Sequence, residues 1–184
     1  MRYNGRVRPT VYIETSIVSY LAARPSRDLI TAAHQQLTAL WWDRRRQEFD
    51  LYVSQLVLDE AAAGDLDAAQ RRGAILETLP LLDITDEVTS LAAALVRGVP
   101  LPPRAGADAL HIAVAACHGM DFLLTWNCAH IANAELRPLV ERVCRERGYV
   151  APVLCAPDEL NGRNGRWPEH TLRDPHGKTP SSPR

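Results

Sequence analysis

The chain has 184 residues, of which 46% are hydrophobic and 23% charged, and its formal net charge is −1. That is the balance of one ordinary globular domain with a sizeable core, and near-neutrality excludes a chain-wide positive field for nucleic acid. No apolar run reaches the roughly 20 residues of a bilayer-spanning helix, and Met1 to Arg6 lead into no signal-peptide stretch, so a cytoplasmic protein with no membrane partner is expected.

The first strand is predicted at Thr10-Val11-Tyr12-Ile13, a β-branched and aromatic run. Glu14 follows it directly, and Thr15-Ser16 carry hydroxyls suited to a helix start. A helix is predicted from Asp28 to Gln47, with Leu29, Ala33, Leu37, Leu40 and Trp41 at helical spacing and Arg44-Arg45-Arg46 at its end. Leu51-Tyr52-Val53 is the second strand, and the segment Ser54 to Glu60 opens a helix straight after it. Helices over 67–78 and 86–97 flank a third strand at Leu81-Leu82-Asp83-Ile84. The breaker Pro102-Pro103 precedes a helix over Asp108 to Ala116, with Leu110, Val114 and Cys117 on one face and Asp108 offset from it. Phe122-Leu123-Leu124-Thr125 is the fourth strand, Asn127 follows it, and a helix over 134–147 leads to Pro152-Val153-Leu154-Cys155.

Strands alternating with helices predict an α/β domain over residues 1–160, its parallel sheet covered on both faces. Residues 161–184 are rich in Pro, Gly and Ser, carry Arg163, Arg166, Arg173, Lys178 and Arg184 against Glu169 and Asp174, and offer almost no aliphatic anchor. A disordered basic tail is expected there. A truncation ending at Leu160 should therefore unfold at the wild-type midpoint, and a clear drop in a thermal melt would contradict this. Cys117, Cys128, Cys144 and Cys155 contain no C-x-x-C pair and are expected as buried free thiols.

Glu14, Glu60, Asp108 and Asn127 are each expected at or just past the carboxyl end of a strand, where such sheets gather their sites. Two readings stand for each acid. It caps or faces a helix terminus in solvent, or it converges with the others on a hard divalent cation, whose charge relieves their repulsion. Such an ion lowers the pKa of its water and polarises a phosphoryl oxygen. His111 either packs with a satisfied ring nitrogen or orients Asp108, and His130 stands one step behind the site. Asp121, ahead of the fourth strand, is expected in a turn, with metal binding as the alternative. Ser16 and Thr125 are candidates to bond a ligand carboxylate. Arg24, Arg27 and Arg44–Arg46 are candidates to grip phosphates, and Trp41 and Trp42 either stack a base or belong to the core.

Taken together, Tyr12-Ile13-Glu14-Thr15-Ser16, Ser54-x-Leu56-Val57-Leu58-x-Glu60, Ala107-Asp108-Ala109-Leu110-His111-Ile112-Ala113 and Leu124-Thr125-Trp126-Asn127 resemble the ordered motifs of PIN-domain proteins, most of all the VapC-type toxins of bacterial type II toxin–antitoxin systems. The likeness extends over Ala23-Arg24-Pro25-Ser26-Arg27-Asp28, His130-Ile131-Ala132-Asn133 and Pro157-Asp158-Glu159-Leu160. It implies a three-layer α/β/α sandwich and an Mg²⁺- or Mn²⁺-dependent endoribonuclease that leaves 5′-phosphate and 3′-hydroxyl ends. It also implies a homodimer held inactive by a cognate antitoxin. The family's metal-binding acids map onto Glu14, Glu60 and Asp108, with Asn127 at the fourth position. The chain departs from the pattern twice, with Glu14 where Asp is usual and a neutral Asn127 where Asp is frequent. The rival expectation is a catalytically impaired PIN-fold module that binds RNA or protein, and a third is a metal-dependent phosphatase for small phosphoesters.

Overall fold

In the structure, a computed structural model, residues 2–3, 6–100, 102 and 105–160 are described, so the tail predicted over 161–184 lies outside them. A short antiparallel ribbon of β1 (Arg2–Tyr3) and β2 (Arg6–Val7), which the sequence pattern does not announce, precedes the main sheet. The chain then runs β3 (Thr10–Ile13), α1 (Thr15–Ala22), α2 (Leu29–Arg44), a 3₁₀ turn (Arg46–Glu48) and β4 (Asp50–Ser54). It continues with α3 (Gln55–Ala62), α4 (Leu66–Leu76), β5 (Leu81–Leu82), α5 (Asp86–Gly98), α6 (Gly106–Cys117), β6 (Phe122–Leu124), α7 (Arg137–Glu146) and β7 (Val153–Cys155).

The five strands β3 to β7 form one sheet in the order β5-β4-β3-β6-β7, and every pairing is parallel. The chain builds outward from β3 through β4 to β5, then returns past β3 to β6, so the strand order reverses between β3 and β6. Right-handed crossovers put α1–α4 on one face and α5–α7 on the other. The packing agrees, with α1 against α2, α3 and α4, and α5 against α6 and α7. The result is the three-layer α/β/α sandwich with a parallel central sheet.

Register shows why the central strands read as unbroken apolar runs. Tyr12 lies opposite Tyr52 on one side and Leu123 on the other, and Val11, Tyr12 and Ile13 are all fully buried beneath helices on both faces. Helix α6 departs from the one-faced pattern expected of it. Ile112, Ala113, Val114, Ala115 and Ala116 are buried around its whole girth, while Leu110 and Cys117 are only half-buried. Its small residues let α5 and the sheet approach closely, as in any helix that is apolar all round. Helix α2 departs the other way: Leu29 and Ile30 are exposed and only Thr38 and Trp41 are buried.

Asp28, Asp65 and Thr85 cap α2, α4 and α5 through their side chains, which fixes where three of the helices begin. Where α5 ends against α7, a Cβ built on Gly98 would stand 2.7 Å from Cγ2 of Val143. Val143 is buried and β-branched, so it has little room to turn away. Gly98→Ala is therefore expected to destabilise the fold by about 1–3 kcal/mol, the usual range for overpacking, despite the better helix propensity of Ala; a urea midpoint at or above wild type would refute this. All four cysteines are free, but only Cys144 and Cys155 are buried, Cys117 is half-buried and Cys128 is exposed, which corrects the expectation for those two. Burial pushes the Cys144 thiol up to about 11, so it stays protonated and inert. No helix among the described residues is long and apolar enough to cross a membrane.

Candidate functional site

Glu14 leaves the end of β3 with its backbone N–H bonded to the carbonyl of Leu124, 3.1 Å away, which pins it at the junction of β3 and β6. Its side chain caps α1, accepting from the Ser16 N–H at 3.1 Å. The carboxylate also accepts from the Ser16 hydroxyl, and from Thr125 Oγ1 at 2.6 Å. Capping and site-building are thus the same contact: the extra methylene of Glu lets it bend back over the first turn while remaining 7% exposed. Ser16 and Thr125 orient this carboxylate, as their hydroxyls suggest in the sequence. Each is fixed in turn, Ser16 Oγ accepting from the Trp126 N–H at 2.8 Å and Thr125 Oγ1 from the Asn127 N–H at 2.9 Å.

Glu60 comes from α3, which opens directly after β4. One of its oxygens accepts from the Thr15 hydroxyl and from Nε2 of His111, 3.1 Å away. His111 is buried in α6, and its Nδ1 lies 2.9 Å from the Tyr12 hydroxyl, itself 2.7 Å from Ser54 Oγ. The protons of this chain can be placed. An ionised Glu60 only accepts, so Nε2 carries the ring proton, Nδ1 accepts from Tyr12, and Tyr12 accepts from Ser54. Burial acts to raise the pKa of Glu60, but the bonds from His111 and Thr15 outweigh it, and the carboxyl lies below its ordinary range. Burial holds the Tyr12 phenol well above its ordinary range, against the bond to Ser54 and with help from the charges of Glu14 and Glu60. Tyr12 is therefore a neutral donor.

Ligand atoms of Glu14, Glu60 and His111 all lie within 4.8 Å of one another. Asp108 is not in that group. It sits in the first turn of α6, three residues ahead of His111 and so on the same side of the helix. Its Oδ1 accepts from the Asn127 amide at 2.9 Å, and its Oδ2 lies 2.9 Å from Nδ1 of His130. Asn127 Oδ1 accepts from the His130 N–H at 3.0 Å, so both polar atoms of the Asn127 side chain are engaged. The four sequence-predicted residues thus fall into two adjoining sets, Glu14–Glu60–His111 and Asp108–Asn127–His130, bridged by α6. His111 bonds Glu60, not Asp108, and it is His130 that orients Asp108.

Two carboxylates so close in a half-buried cleft repel unless a cation lies between them. Their hard oxygens fit Mg²⁺ or Mn²⁺. His111, with its Nε2 proton aimed at Glu60, serves as the residue that holds a ligand in place and is not a ligand in this arrangement.

Other candidates sort differently. Asp121 accepts from the backbone N–H and the hydroxyl of Thr10, at 2.8 and 3.0 Å, and so ties together the amino ends of β3 and β6. That is the edge of the sheet opposite the acids, so it cannot stand in for Asn127. Trp41 is core, and Trp42 lies under the guanidinium of Arg46, 5.0 Å from its ring centre. Arg45 is buried and paired with Glu48 at 3.2 Å, which removes it from phosphate binding. A cavity of about 600 Å³ beside Trp42 and Arg46 lies near Asp50 and Pro80, again at the amino ends of strands and away from the acids. Arg24 and Arg27 are exposed on the loop between α1 and α2. The residues that sequence reasoning passed over are Thr15, seen only as a helix starter, and Trp126, seen only as part of a motif.

A family model described as PIN domain matches residues 11–127. Among solved structures, VapC20 of Mycobacterium tuberculosis, described as a sarcin–ricin loop cleaving toxin, is 16% identical with a TM-score of 0.53, over 66% of this chain and 92% of that one. VapBC2 from Rickettsia felis, bound to a DNA fragment from its promoter, is 18% identical with a TM-score of 0.43, over 65% and 89%. No curated protein matches the chain in sequence. The matched span holds Glu14, Glu60 and Asp108 and closes on Asn127, the residues that the sheet gathers at its switch point. This chain belongs to the PIN domain family.

Proposed function

We propose that the chain is a divalent-metal-dependent endoribonuclease, a toxin neutralised by a cognate antitoxin protein and working as a homodimer. The observation that carries the reading is the convergence of Glu14 and Glu60 within 4.8 Å, beside Asp108, where the strand order reverses in a PIN domain. That a toxin of similar fold is described as cleaving the sarcin–ricin loop supports a nucleolytic role here, with RNA as the proposed substrate. Glu14, Glu60 and Asp108 would hold Mg²⁺ or Mn²⁺, with Asn127 positioning Asp108 through its amide. The ion supplies, when bound, an acidified water and neutralisation of charge at the phosphoryl group. The protein's own part is to aim its carboxylates: Ser16 and Thr125 for Glu14, Thr15 and His111 for Glu60, Asn127 and His130 for Asp108.

One observation favours a second reading, a PIN-fold module that binds RNA or protein without cutting. Asn127 brings a neutral amide to the fourth position and spends both its polar atoms on Asp108 and His130, leaving one charge fewer for an ion. Incubating the protein with RNA in Mn²⁺, in Mg²⁺ and in EDTA separates the readings, with cleavage expected only with metal. RNA bound but intact under all three conditions would establish the binding module, and turnover of small phosphoesters alone would establish a phosphatase. Asp108→Asn should reduce cleavage by more than about a hundredfold, beyond the effect of losing a residue that merely orients a ligand. Its amide can accept from Asn127 and donate to His130, so the fold should stand. Cleavage by Asp108→Asn at the wild-type rate would remove Asp108 from the site.

A further inference from the structure

Beside the acids lies an aromatic group that the hydrolytic roles leave unused. Trp126 directly follows Thr125, and its backbone N–H bonds the same Ser16 hydroxyl that holds Glu14. Its indole N–H donates to Thr38 Oγ1 at 2.7 Å, and Thr38 is fully buried in α2, so the ring plane is fixed. The His34 ring stacks on it, with centroids 3.9 Å apart and planes inclined by 18°. Tyr20 meets both rings edge-on, at 5.5 Å from His34 and 6.2 Å from Trp126, and its hydroxyl lies 3.3 Å from His34 Nδ1. None of the three is buried; each keeps part of its surface in solvent.

The loop between α1 and α2 is tied to the next residue of the same helix. Gln35 accepts from the Ser26 N–H at 2.9 Å and donates to the Arg24 carbonyl at 2.9 Å. This clasp fixes the loop that carries Arg27, which is exposed between Ser26 and the helix start. Among the described residues the Arg24 guanidinium has one ion pair, an exposed contact of 4.0 Å with Asp67 that water screens. A pre-oriented aromatic stack with guanidinium groups on a tethered loop is the arrangement that single-stranded nucleic acid needs, because every base has a face to stack and every linkage a phosphate to pair.

We propose that His34, backed by Trp126, is a nucleobase-stacking subsite for a nucleotide next to the scissile bond, with Arg27 taking a neighbouring phosphate. The proposal rests on the ribonuclease reading above and adds to it where an unpaired base is read. A duplex hides its base faces, so the subsite selects single-stranded or looped RNA. Trp126 is a positioning residue: locked by Thr38 and Ser16, it fixes the plane in which His34 presents its ring.

The test uses the full chain in EDTA, where no cleavage competes with binding. Dissociation constants for a fluorescent single-stranded RNA are measured by anisotropy, alongside oligonucleotides with an abasic site walked along the sequence. His34→Ala should weaken binding about tenfold, the size of one base–aromatic stack, while His34→Phe, which keeps a stacking face, should restore it. Wild type should be sensitive to the abasic site at one position, and His34→Ala insensitive at that same position. The Mn²⁺-induced thermal shift of His34→Ala should match wild type, because His34 touches no ligand of the ion. Wild-type cleavage together with unchanged RNA affinity in His34→Ala overturns the subsite and leaves the nuclease standing. His34→Ala that binds and cuts RNA normally but escapes inhibition by the antitoxin overturns it in favour of a protein contact. A wild-type protein that neither binds nor cuts RNA overturns the ribonuclease reading and the subsite together.

Discussion

Glu60→Gln should yield a folded protein whose RNA cleavage falls by more than about a hundredfold, beyond what losing an orienting residue does. The substitution keeps the side chain's length and an amide oxygen that accepts from Thr15 and His111. What it removes is the charge, and with it one hard anionic donor for the ion. The bonds that hold this carboxyl below its ordinary range also couple it to folding. Because its folded pKa is depressed, the charged form contributes stability above the unfolded pKa, and that contribution is lost as pH falls through the folded value. Wild type should therefore be the more stable of the two near neutrality without metal, with the gap closing in acid below the glutamate range. Adding Mn²⁺ near neutrality should widen the gap, since an ion bound only to the folded state stabilises it by mass action. Metal-dependent stabilisation of Glu60→Gln equal to that of wild type, with cleavage intact, would place the ion elsewhere.

The sequence announces the sheet because β3 and β6 are buried on both faces and therefore apolar throughout. Val11 to Ile13 and Phe122 to Leu124 can be little else at that length. It announces Glu14, Glu60 and Asn127 because each follows a strand or lies in the helix that opens straight after one, and parallel strands bring their carboxyl ends to one side; Asp108 departs from that expectation, standing in the first turn of α6 behind α5 with no strand directly before it. The edges are less legible. Leu81-Leu82-Asp83-Ile84 shortens to two paired residues, since β5 is a border strand with one neighbour and Leu81 stands exposed. The 108–116 helix misleads about its faces because an interior helix has no outside. Partners across the fold are illegible for a more basic reason. His111 bonds Glu60, 51 positions away, and Trp126 bonds Thr38, 88 away, and no local pattern encodes such distances. Asp121 is the instructive case: as a residue ahead of a strand it looks interchangeable with one that follows it, yet the two ends of a parallel sheet lie a strand's length apart.

Asn127→Asp should bind Mn²⁺ more tightly than wild type yet be less stable without it. In wild type the Asn127 amide donates to Asp108 Oδ1 at 2.9 Å, while its own Oδ1 accepts from the His130 N–H. An Asp at 127 can keep the second bond, because that bond needs only an oxygen. The first is lost, and in its place a carboxylate oxygen faces the Asp108 carboxylate at hydrogen-bond range. One of the two must then take up a proton or turn away, which shifts a carboxyl pKa upward. The loss of a half-buried hydrogen bond with an acceptor left unpaired costs about 1–3 kcal/mol in the metal-free protein. A bound cation reverses the sign of that contact, since two anionic oxygens then share a positive partner and the added charge strengthens binding. The thermal midpoint of Asn127→Asp should therefore lie below wild type in EDTA and meet or pass it in Mn²⁺, with half-maximal stabilisation at lower metal. The maximal cleavage rate need not rise, because a tighter ground-state ion does not by itself lower the barrier. If the two proteins give superimposable metal titrations and equal midpoints in EDTA, Asn127 neither braces Asp108 nor stands within reach of the ion. Asp121, at the far edge of the sheet, could not replace it, and the donor set would contract to Glu14, Glu60 and Asp108.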